Sequence, residues 1–227
     1  NLVTCSECNL TQLHHDIPIS ELYGDGYGYE SSLNKSMIKH LHQKYKNLSS
    51  KYKINSILDI GCNDGTFLNF FSDSVMKQGI DPSVSPKDSS RISFKKGFFP
   101  EDFIQTKDKI DLITSISVFY DLPDPRSFVS KIKKILSENG IFHVELSYLP
   151  TMIISNSFDT VCHEHLEYYS ISSLKNLLSK FDLHIIDFGF NDINGGSIWV
   201  DVSHSNNSKE DNRVNQYIFN ESLQGFN

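Results

Sequence analysis

The chain has 227 residues of ordinary globular composition, 38% hydrophobic and 22% charged, which is enough to build a core without disulfide bonds. Its formal net charge of −7 argues against a general binder of nucleic-acid phosphates. Apolar runs reach only strand length and the first residues carry no basic-then-apolar signal, so the sequence predicts a soluble, cytoplasmic protein without a membrane partner.

The first 30 residues are predicted to be irregular and rich in turns. They contain a Cys-x-x-Cys, Cys5 and Cys8, and end in LYGDGYGYESS, where glycines alternate with tyrosines. With Cys62 and Cys162, the cysteines are too few and too scattered for a secreted disulfide scaffold. The chain starts at Asn1 rather than Met, close to this Cys-x-x-Cys, and we therefore expect it to be a piece of a longer polypeptide.

A helix is predicted to begin at Ser31 or Ser32, because apolar residues follow at a period of about 3.6. The strand NSILDIG comes next, followed by a helix from about Asp64. Three further strands are predicted at QGIDPS, RISF and KIDLITSIS, the last of them fully buried. The residues that mark the apolar face of the first helix are Leu33, Met37, Ile38, Leu41 and Tyr45.

The second half continues the alternation of helices and strands. DPRSFVSKIKKILSENG predicts a helix that ends at Gly140, and IFHVELSY predicts a strand. After a helix over SISSLKNLLSKF, the strands LHIIDFGF and GSIWVDVSH are joined by NDINGG and are expected to pair as an edge hairpin. A polar stretch and a last helix follow. The chain is therefore predicted to be α/β: a Rossmann-like, doubly wound, mainly parallel sheet with a C-terminal antiparallel hairpin strand.

The stretch ILDIGCNDGTF is the first candidate for a binding site, because a strand, a tight turn and a helix in this order hold nucleotide-like ligands in open α/β sheets. The dinucleotide fingerprint would need glycine where Asn63 and Thr66 stand, and a P-loop lysine is also missing. Asp59 and Asp64 suit a cationic ligand, and Asp81 lies about 20 residues on, where an acid can bind ribose hydroxyls. Carboxylate, ribose and positive charge together describe S-adenosylmethionine. The alternative is a structural turn with solvated acids.

The motifs LDIGCNDG and GIDP resemble the first two motifs of the class I methyltransferases. YGYESSLNKSMIKHL, VELSYLPTMIISNSFDTVCHEHLEYYS and INGGSIWV, spread over nearly the whole chain, are more specific and resemble the sugar C-methyltransferases, which methylate C3 of nucleotide-linked 4-keto-deoxysugars. The resemblance implies S-adenosylmethionine as cofactor and a nucleotide-sugar as substrate. The implied cofactor residues are Tyr27, Asp59, Gly61, Asn63, Asp64, Gly65, Asp81, Pro82 and Ser117, and the implied substrate residues are Asn194, Gly195, Gly196 and Ser197.

The segment CHEHLEYY places His163 and His165 on either side of Glu164, just past a predicted strand end. The spacing fits neither the zinc-protease nor the deaminase motif, and the alternative is that these histidines cap a helix or fill a polar core. C-methylation needs a base for a carbon next to a ketone, and histidine titrates near pH 6.5. The resemblance implies that His165 is this base, with Glu164 beside it.

The enolate oxygen formed by such a reaction also needs hydrogen-bond donors. Tyr27, Tyr29 and Tyr148 are the candidates, although such tyrosines also serve in packing or partner contacts. By resemblance, Tyr27 and Tyr29 lie near cofactor and sugar.

The sequence departs from the sugar C-methyltransferases at two places: some of them carry tyrosine where this chain has Cys162, and histidine in the loop where it has Tyr120 and Asp121. Cys5 and Cys8 resemble the second half of a four-cysteine zinc module, for which two cysteines alone are too few.

The expected domains are a partial zinc module with linker at 1–25, a methyltransferase domain at 26–205 and the start of a C-terminal region at 206–227. The alternatives to sugar C-methylation are an O- or N-methyltransferase of small molecules and a non-catalytic binding module. The oligomeric state stays open.

Overall fold

The computed structural model describes residues 1–15, 17–24, 26–83, 91–104 and 108–226. The strands are β1 (Leu2–Thr4), β2 (Thr11–Leu13), β3 (Ser56–Ile60), β4 (Met76–Asp81), β5 (Ser93–Lys96), β6 (Ile110–Ile116), β7 (Leu136–Ser147), β8 (Glu167–Tyr168), β9 (Leu183–Asn191) and β10 (Ser197–His204). The α-helices are α1 (Ile19–Leu22), α2 (Lys35–Lys51), α3 (Pro125–Ile135), α4 (Leu149–Ile154), α5 (Ile171–Ser179) and α6 (Arg213–Leu223).

A seven-stranded sheet with the order β5-β4-β3-β6-β7-β10-β9 is the centre of the fold. Strands β5, β4, β3, β6 and β7 are parallel, whereas β10 runs antiparallel to both β7 and β9. The predicted mainly parallel sheet with a C-terminal antiparallel hairpin is therefore confirmed. The chain leaves β3 on one side for β4 and β5 and returns on the other side for β6. This reversal opens a crevice at the carboxyl ends of β3 and β6, the usual ligand site of such sheets.

Two apolar clusters cover the two faces of the sheet, as the alternation of side chains along a strand requires. Ile57 and Leu112 face the cluster that contains Leu41 and Leu48 of α2. Their neighbours Leu58 and Ile113 face the larger cluster, which is formed with α3 and α5. Since both faces are buried, the central strands read as continuous apolar runs.

The helices begin where the sequence supplies capping side chains. Asn34 accepts hydrogen bonds from Ser36 N–H and Met37 N–H at the start of α2, and Asp124 does the same for α3, whose first residue is proline. Ser170 and Ser173 form a capping box at α5. Among the described residues, no helix has the length and apolar character needed to cross a lipid bilayer.

Three helix predictions are wrong, and the first concerns the start of α2, which lies at Lys35 after a 3₁₀ helix at Ser31–Leu33 instead of at Ser31 or Ser32. The segment after the glycine turn forms turns and one 3₁₀ helix, Leu68–Phe70, rather than an α-helix from Asp64. Phe67, Phe70 and Phe71 are helically spaced, but the turn-favouring residues 72–74 follow at once. The helix α3 ends at Ile135, since Leu136 already has extended dihedral angles, and Gly140 lies within β7.

The N-terminal segment is more regular than predicted. β1 pairs with β2, and β2 pairs with β8, so that the three form a second, small sheet. In addition, Leu13 N–H donates a 2.8 Å hydrogen bond to the carbonyl oxygen of Leu166. The N-terminal segment is thus attached to the histidine-containing segment. The division into domains at residues 25/26 and 205/206 stays a prediction.

A buried ionic network joins α2 to the sheet at Glu145 of β7, which is fully buried. Its carboxylate binds His40 Nε2 at 2.6 Å, Lys44 Nζ at 2.5 Å and Asn191 Nδ2 at 2.7 Å. Burial alone would raise the pKa of Glu145, but the hydrogen bond from His40 and the charge of Lys44 outweigh burial and lower this pKa to about 2.

Glu145→Ala is expected to lower the free energy of unfolding by about 3–5 kcal/mol, because it leaves the Lys44 ammonium buried without its carboxylate. Urea titration of both proteins measures this difference. The double variant Lys44→Met/Glu145→Met should recover most of the loss. The wild type should also lose stability as the pH falls from about 4.5 to about 2, because the pKa of Glu145 is lower in the folded than in the unfolded protein. Glu145→Ala should show less of this acid dependence. If Glu145→Ala lowered the free energy of unfolding by less than about 1 kcal/mol, Lys44 and Glu145 would not form a buried ion pair.

Candidate active site

A cavity of about 910 Å³ lies at the carboxyl ends of β3, β4 and β6. It extends to the tyrosine-rich segment, residues 23–29, and to the histidine-containing segment, residues 162–169. Its position is the one expected from the reversal of strand order. The cavity brings together most of the residues predicted for cofactor, base and substrate. Those on its wall are Tyr27, Tyr29, Asp59, Gly61, Asn63, Asp81, Pro82, Ser117, Glu164, His165, Asn194 and Gly195.

The glycine turn at the end of β3 presents its backbone to this cavity. Gly61 has φ +75°, and a Cβ atom on it would lie 2.3 Å from Cγ2 of Val118. Only glycine fits this position, because both the conformation and the available space exclude a side chain. Asp59 lies in β3, just before this turn, and accepts a 2.6 Å hydrogen bond from Thr114 Oγ1. Burial raises the pKa of Asp59 to about 7.

Asp81 ends β4 directly opposite this turn. Its Oδ2 accepts the N–H of Asn63 at 3.0 Å and its Oδ1 accepts the N–H of Ser83 at 2.8 Å. The carboxylate is therefore held in one orientation at the cavity wall, next to Pro82. A narrow backbone cradle beside a fixed acid fits an adenosyl ligand, with Gly61 against the ligand and Asp81 available to ribose hydroxyls.

Asn63 and Asp64 hold the tyrosine-rich segment over the cavity. Asn63 Oδ1 accepts from Ser31 N–H and its Nδ2 donates to the Tyr29 carbonyl oxygen, both at 2.9 Å. Asp64 Oδ2 accepts from Ser32 N–H at 2.9 Å. Asp64 and Gly65 do not lie on the cavity wall, since Asp64 is bonded to this loop, and their cofactor contact stays a prediction.

His165 combines partial burial with a fixed tautomer. Its Nδ1 lies 2.8 Å from the carbonyl oxygen of Thr160, which can only accept, so Nδ1 carries the proton and Nε2 is the basic nitrogen. Burial lowers the pKa of His165 against the opposing effects of this hydrogen bond and of Glu164. The imidazole is thus neutral at pH 7 and able to accept a proton. Its ring centroid is 4.3 Å from that of Tyr120.

Besides Asp64 and Gly65, four further predicted site residues lie away from the cavity wall. His163 is exposed and faces His15, with 3.4 Å between ring nitrogens. The hydroxyl of Tyr148, predicted as an enolate donor, donates instead to Glu221 of α6 at 2.6 Å. Gly196 packs on Thr151, and the Ser197 hydroxyl donates to the Ile193 carbonyl oxygen. Both therefore shape the hairpin loop, whereas Asn194 reaches Ser117 Oγ at 3.4 Å from the cavity side.

Asp121 and Tyr23 were not predicted as site residues, yet both lie on the cavity wall and the Tyr23 hydroxyl donates to Asp121 Oδ2 at 2.9 Å. Burial raises the pKa of Tyr27, a neighbour of Tyr23, to about 12, with Glu164 and Asp121 contributing. The signals in the sequence were the first tyrosine of the glycine-rich segment and an acid in the loop after β6.

The Cys5–Cys8 turn lies between β1 and β2, outside the cavity. Backbone N–H groups of Glu7 and Cys8 approach the Cys5 sulfur and lower its pKa, which favours the thiolate that metals bind. Within the described ranges, no group of three or more histidine, cysteine or acidic side chains could hold a metal ion. The two cysteines do not by themselves fit a tetrahedral zinc ion, and the zinc half-site stays a prediction.

A family model described as "Methyltransferase domain" matches residues 29–187. The chain is 28% identical over 211 residues to C-methyltransferase NovU of Streptomyces niveus, covering 88% of this chain and 50% of that protein. It is also 27% identical over 127 residues to the ubiquinone biosynthesis O-methyltransferase of Histophilus somni (strain 2336), covering 48% and 50% respectively. The chain spans about half the length of these curated relatives.

Solved structures show the same fold at low sequence identity. N-methyltransferase NodS from Bradyrhizobium japonicum WM9 is similar with a TM-score of 0.56 and 16% identity, covering 75% of this chain and 98% of that one. Magnesium protoporphyrin IX methyltransferase ChlM from Synechocystis PCC 6803, solved with bound SAH, has a TM-score of 0.56 and 12% identity, covering 82% and 92%.

Proposed function

This chain belongs to the methyltransferase-domain family and has the class I fold of S-adenosylmethionine-dependent enzymes, and on that premise we propose that it methylates carbon in a nucleotide-linked keto-deoxysugar. The observation that carries the proposal is the shared cavity: the Gly61 turn and His165, a neutral base with a fixed tautomer, line the same space. The overall similarity to a C-methyltransferase over 88% of the chain supports the same chemistry.

The cofactor residues proposed here are those of the cavity wall at the ends of β3, β4 and β6. Gly61 offers its backbone, Asp81 offers a carboxylate to the ribose, and Tyr29, held by Asn63, covers the site. S-adenosylmethionine, when bound, supplies a methyl group on a positively charged sulfur.

His165 acts as the general base of the proposed reaction. Its Nε2 takes the proton from the carbon next to the ketone, and the imidazolium that forms keeps its Nδ1–H bond to Thr160. Glu164, on the cavity wall beside it, stabilises this positive charge. The carbon that has lost its proton is then the nucleophile for the methyl group. A substrate methylated on oxygen or nitrogen loses its proton from that atom and needs no base for a C–H proton next to a ketone.

Two measurements test the proposal. Calorimetry with S-adenosylhomocysteine should show binding in the micromolar range, and the absence of heat at high micromolar concentration would count against the cofactor site. Incubation of nucleoside diphosphate 4-keto-6-deoxyhexoses with the protein in D₂O should place deuterium next to the ketone without cofactor, because this reaction needs only the base. Binding of S-adenosylhomocysteine without deuterium uptake would favour O- or N-methylation.

A further inference from the structure

Asp121 is the buried acid of the active-site cavity that the proposed mechanism leaves unused. It ends the 3₁₀ helix Phe119–Asp121 after β6 and is only 6% exposed. Its Oδ2 accepts the Tyr23 hydroxyl at 2.9 Å. Its Oδ1 is buried and has no hydrogen-bond partner in the part of the chain that the structure describes. A buried polar atom without a partner costs stability, so its presence at a cavity wall points to a ligand group.

The surroundings of Asp121 favour the neutral carboxyl. Burial raises its pKa well above the usual value, and the acids Glu164 and Glu167 add to this rise, whereas the Tyr23 hydrogen bond opposes it only in part. Among the residues that the structure describes, Tyr27, Tyr120 and Tyr168 also interact with Asp121, and these tyrosines are uncharged near pH 7.

A neutral carboxyl has one carbonyl oxygen and one hydroxyl. The carbonyl oxygen is the better acceptor of the two. Because Tyr23 donates to Oδ2, Oδ2 is the carbonyl oxygen and Oδ1 carries the proton. The atom without a protein partner is therefore a donor. An acid kept neutral in this way can donate to a developing negative charge at neutral pH.

We propose that Asp121 is a further catalytic residue, whose Oδ1–H donates a hydrogen bond to the keto oxygen of the substrate while His165 removes the neighbouring proton. This inference rests on the proposed function. No bond breaks at Asp121: the abstracted proton goes to His165 Nε2, and the negative charge of the enolate oxygen is stabilised by the donated hydrogen bond. Tyr23 is the positioning residue that fixes which oxygen of Asp121 donates.

The placement of base and donor supports this division of roles. Tyr120 precedes Asp121 in the same 3₁₀ helix and contacts the His165 ring, so that one short element lies next to both groups. Both His165 and Asp121 line the cavity. Of the three donors considered from the sequence, Tyr148 donates to Glu221 instead and does not supply this hydrogen bond.

Asp121→Leu and Asp121→Asn distinguish whether Asp121 acts as a neutral hydrogen-bond donor or as a negative charge. Deuterium uptake into nucleoside diphosphate 4-keto-6-deoxyhexoses is expected to fall about 10²–10³-fold in Asp121→Leu, which has no donor. In Asp121→Asn it should stay within about 10-fold of wild type, because the Tyr23 hydroxyl orients the amide oxygen and leaves the NH₂ group at the Oδ1 position. Calorimetry with S-adenosylhomocysteine should give unchanged affinity for both variants.

Each remaining outcome is informative. Uptake by Asp121→Leu at the wild-type rate would overturn the inference, and so would an equal loss in both variants, which would indicate that the charge matters. Absence of uptake by the wild type would overturn the proposed function and this inference with it. Asp73→Asn, an exposed acid paired with Arg91 outside the cavity, is the control for removal of a carboxylate and should leave uptake unchanged. The thermal midpoint of Asp121→Asn should equal or exceed that of wild type, since a structural carboxyl would lower it when replaced.

Discussion

His165→Asn is expected to slow proton abstraction from the substrate by about 10²–10⁴-fold while leaving S-adenosylhomocysteine binding unchanged. The asparagine amide reaches the position of Nδ1, so it can still donate to the Thr160 carbonyl oxygen, but it has no nitrogen in the place of Nε2. The variant therefore removes the base and preserves the local hydrogen bond. Deuterium uptake by nucleoside diphosphate 4-keto-6-deoxyhexoses and single-turnover methyl transfer measure the effect.

His163→Asn is the matched control, because this second histidine is exposed and faces His15 rather than the cavity. Its uptake rate should equal that of wild type. The wild-type rate should fall as the pH drops through the pKa of His165, which burial holds below 6.5, because only the neutral imidazole accepts a proton. If the two asparagine variants were equally active, His165 would not be the base.

Gly61→Ala is expected to weaken S-adenosylhomocysteine binding by roughly 10- to 100-fold. The new Cβ atom would lie 2.3 Å from Val118 Cγ2, and alanine at φ +75° is itself strained. Strain of about 1–3 kcal/mol is relieved when the turn moves, and the backbone cradle beside β3 moves with it. Calorimetry measures the affinity, and urea titration measures the accompanying loss of stability.

The double variant Gly61→Ala/Val118→Ala separates the collision from the backbone strain. Removal of Cγ2 leaves the two Cβ atoms about 3.5 Å apart, an ordinary contact, so the double variant should recover part of the lost affinity while the positive φ remains. If the single variant bound S-adenosylhomocysteine as tightly as wild type, the turn would not hold the cofactor.

The sheet could be predicted from the sequence because its strands are continuous apolar runs and the NDINGG loop marks the hairpin. The helix after the glycine turn was predicted wrongly, because Phe67, Phe70 and Phe71 have helical spacing but the polar residues 72–74, which favour a turn, follow directly. The end of α3 was also predicted wrongly. Gly140 suggests a helix end at that position, but Leu136 already has extended dihedral angles and begins β7.

The candidate site was predictable where it depends on local motifs and not where it depends on contacts between distant segments. Gly61 follows β3, Asp81 ends β4 and His165 belongs to the motif CHEHLEYY, so local sequence alone indicated each of them. Tyr23 and Asp121 are 98 residues apart and no local pattern relates them. The removal of Tyr148 from the site likewise depends on Glu221, which lies 73 residues further along the chain.

The small sheet of β1, β2 and β8 gives the first residues of the chain a mechanical role. β8 begins two residues after His165, and the residue between them is bonded to Leu13 through its carbonyl oxygen. The segment that carries the imidazole is thus supported on one side by residues 2–13 and not by the seven-stranded sheet. Local opening of β1 and β2 would remove this support of His165, so order in residues 1–13 is expected to affect the position of the imidazole.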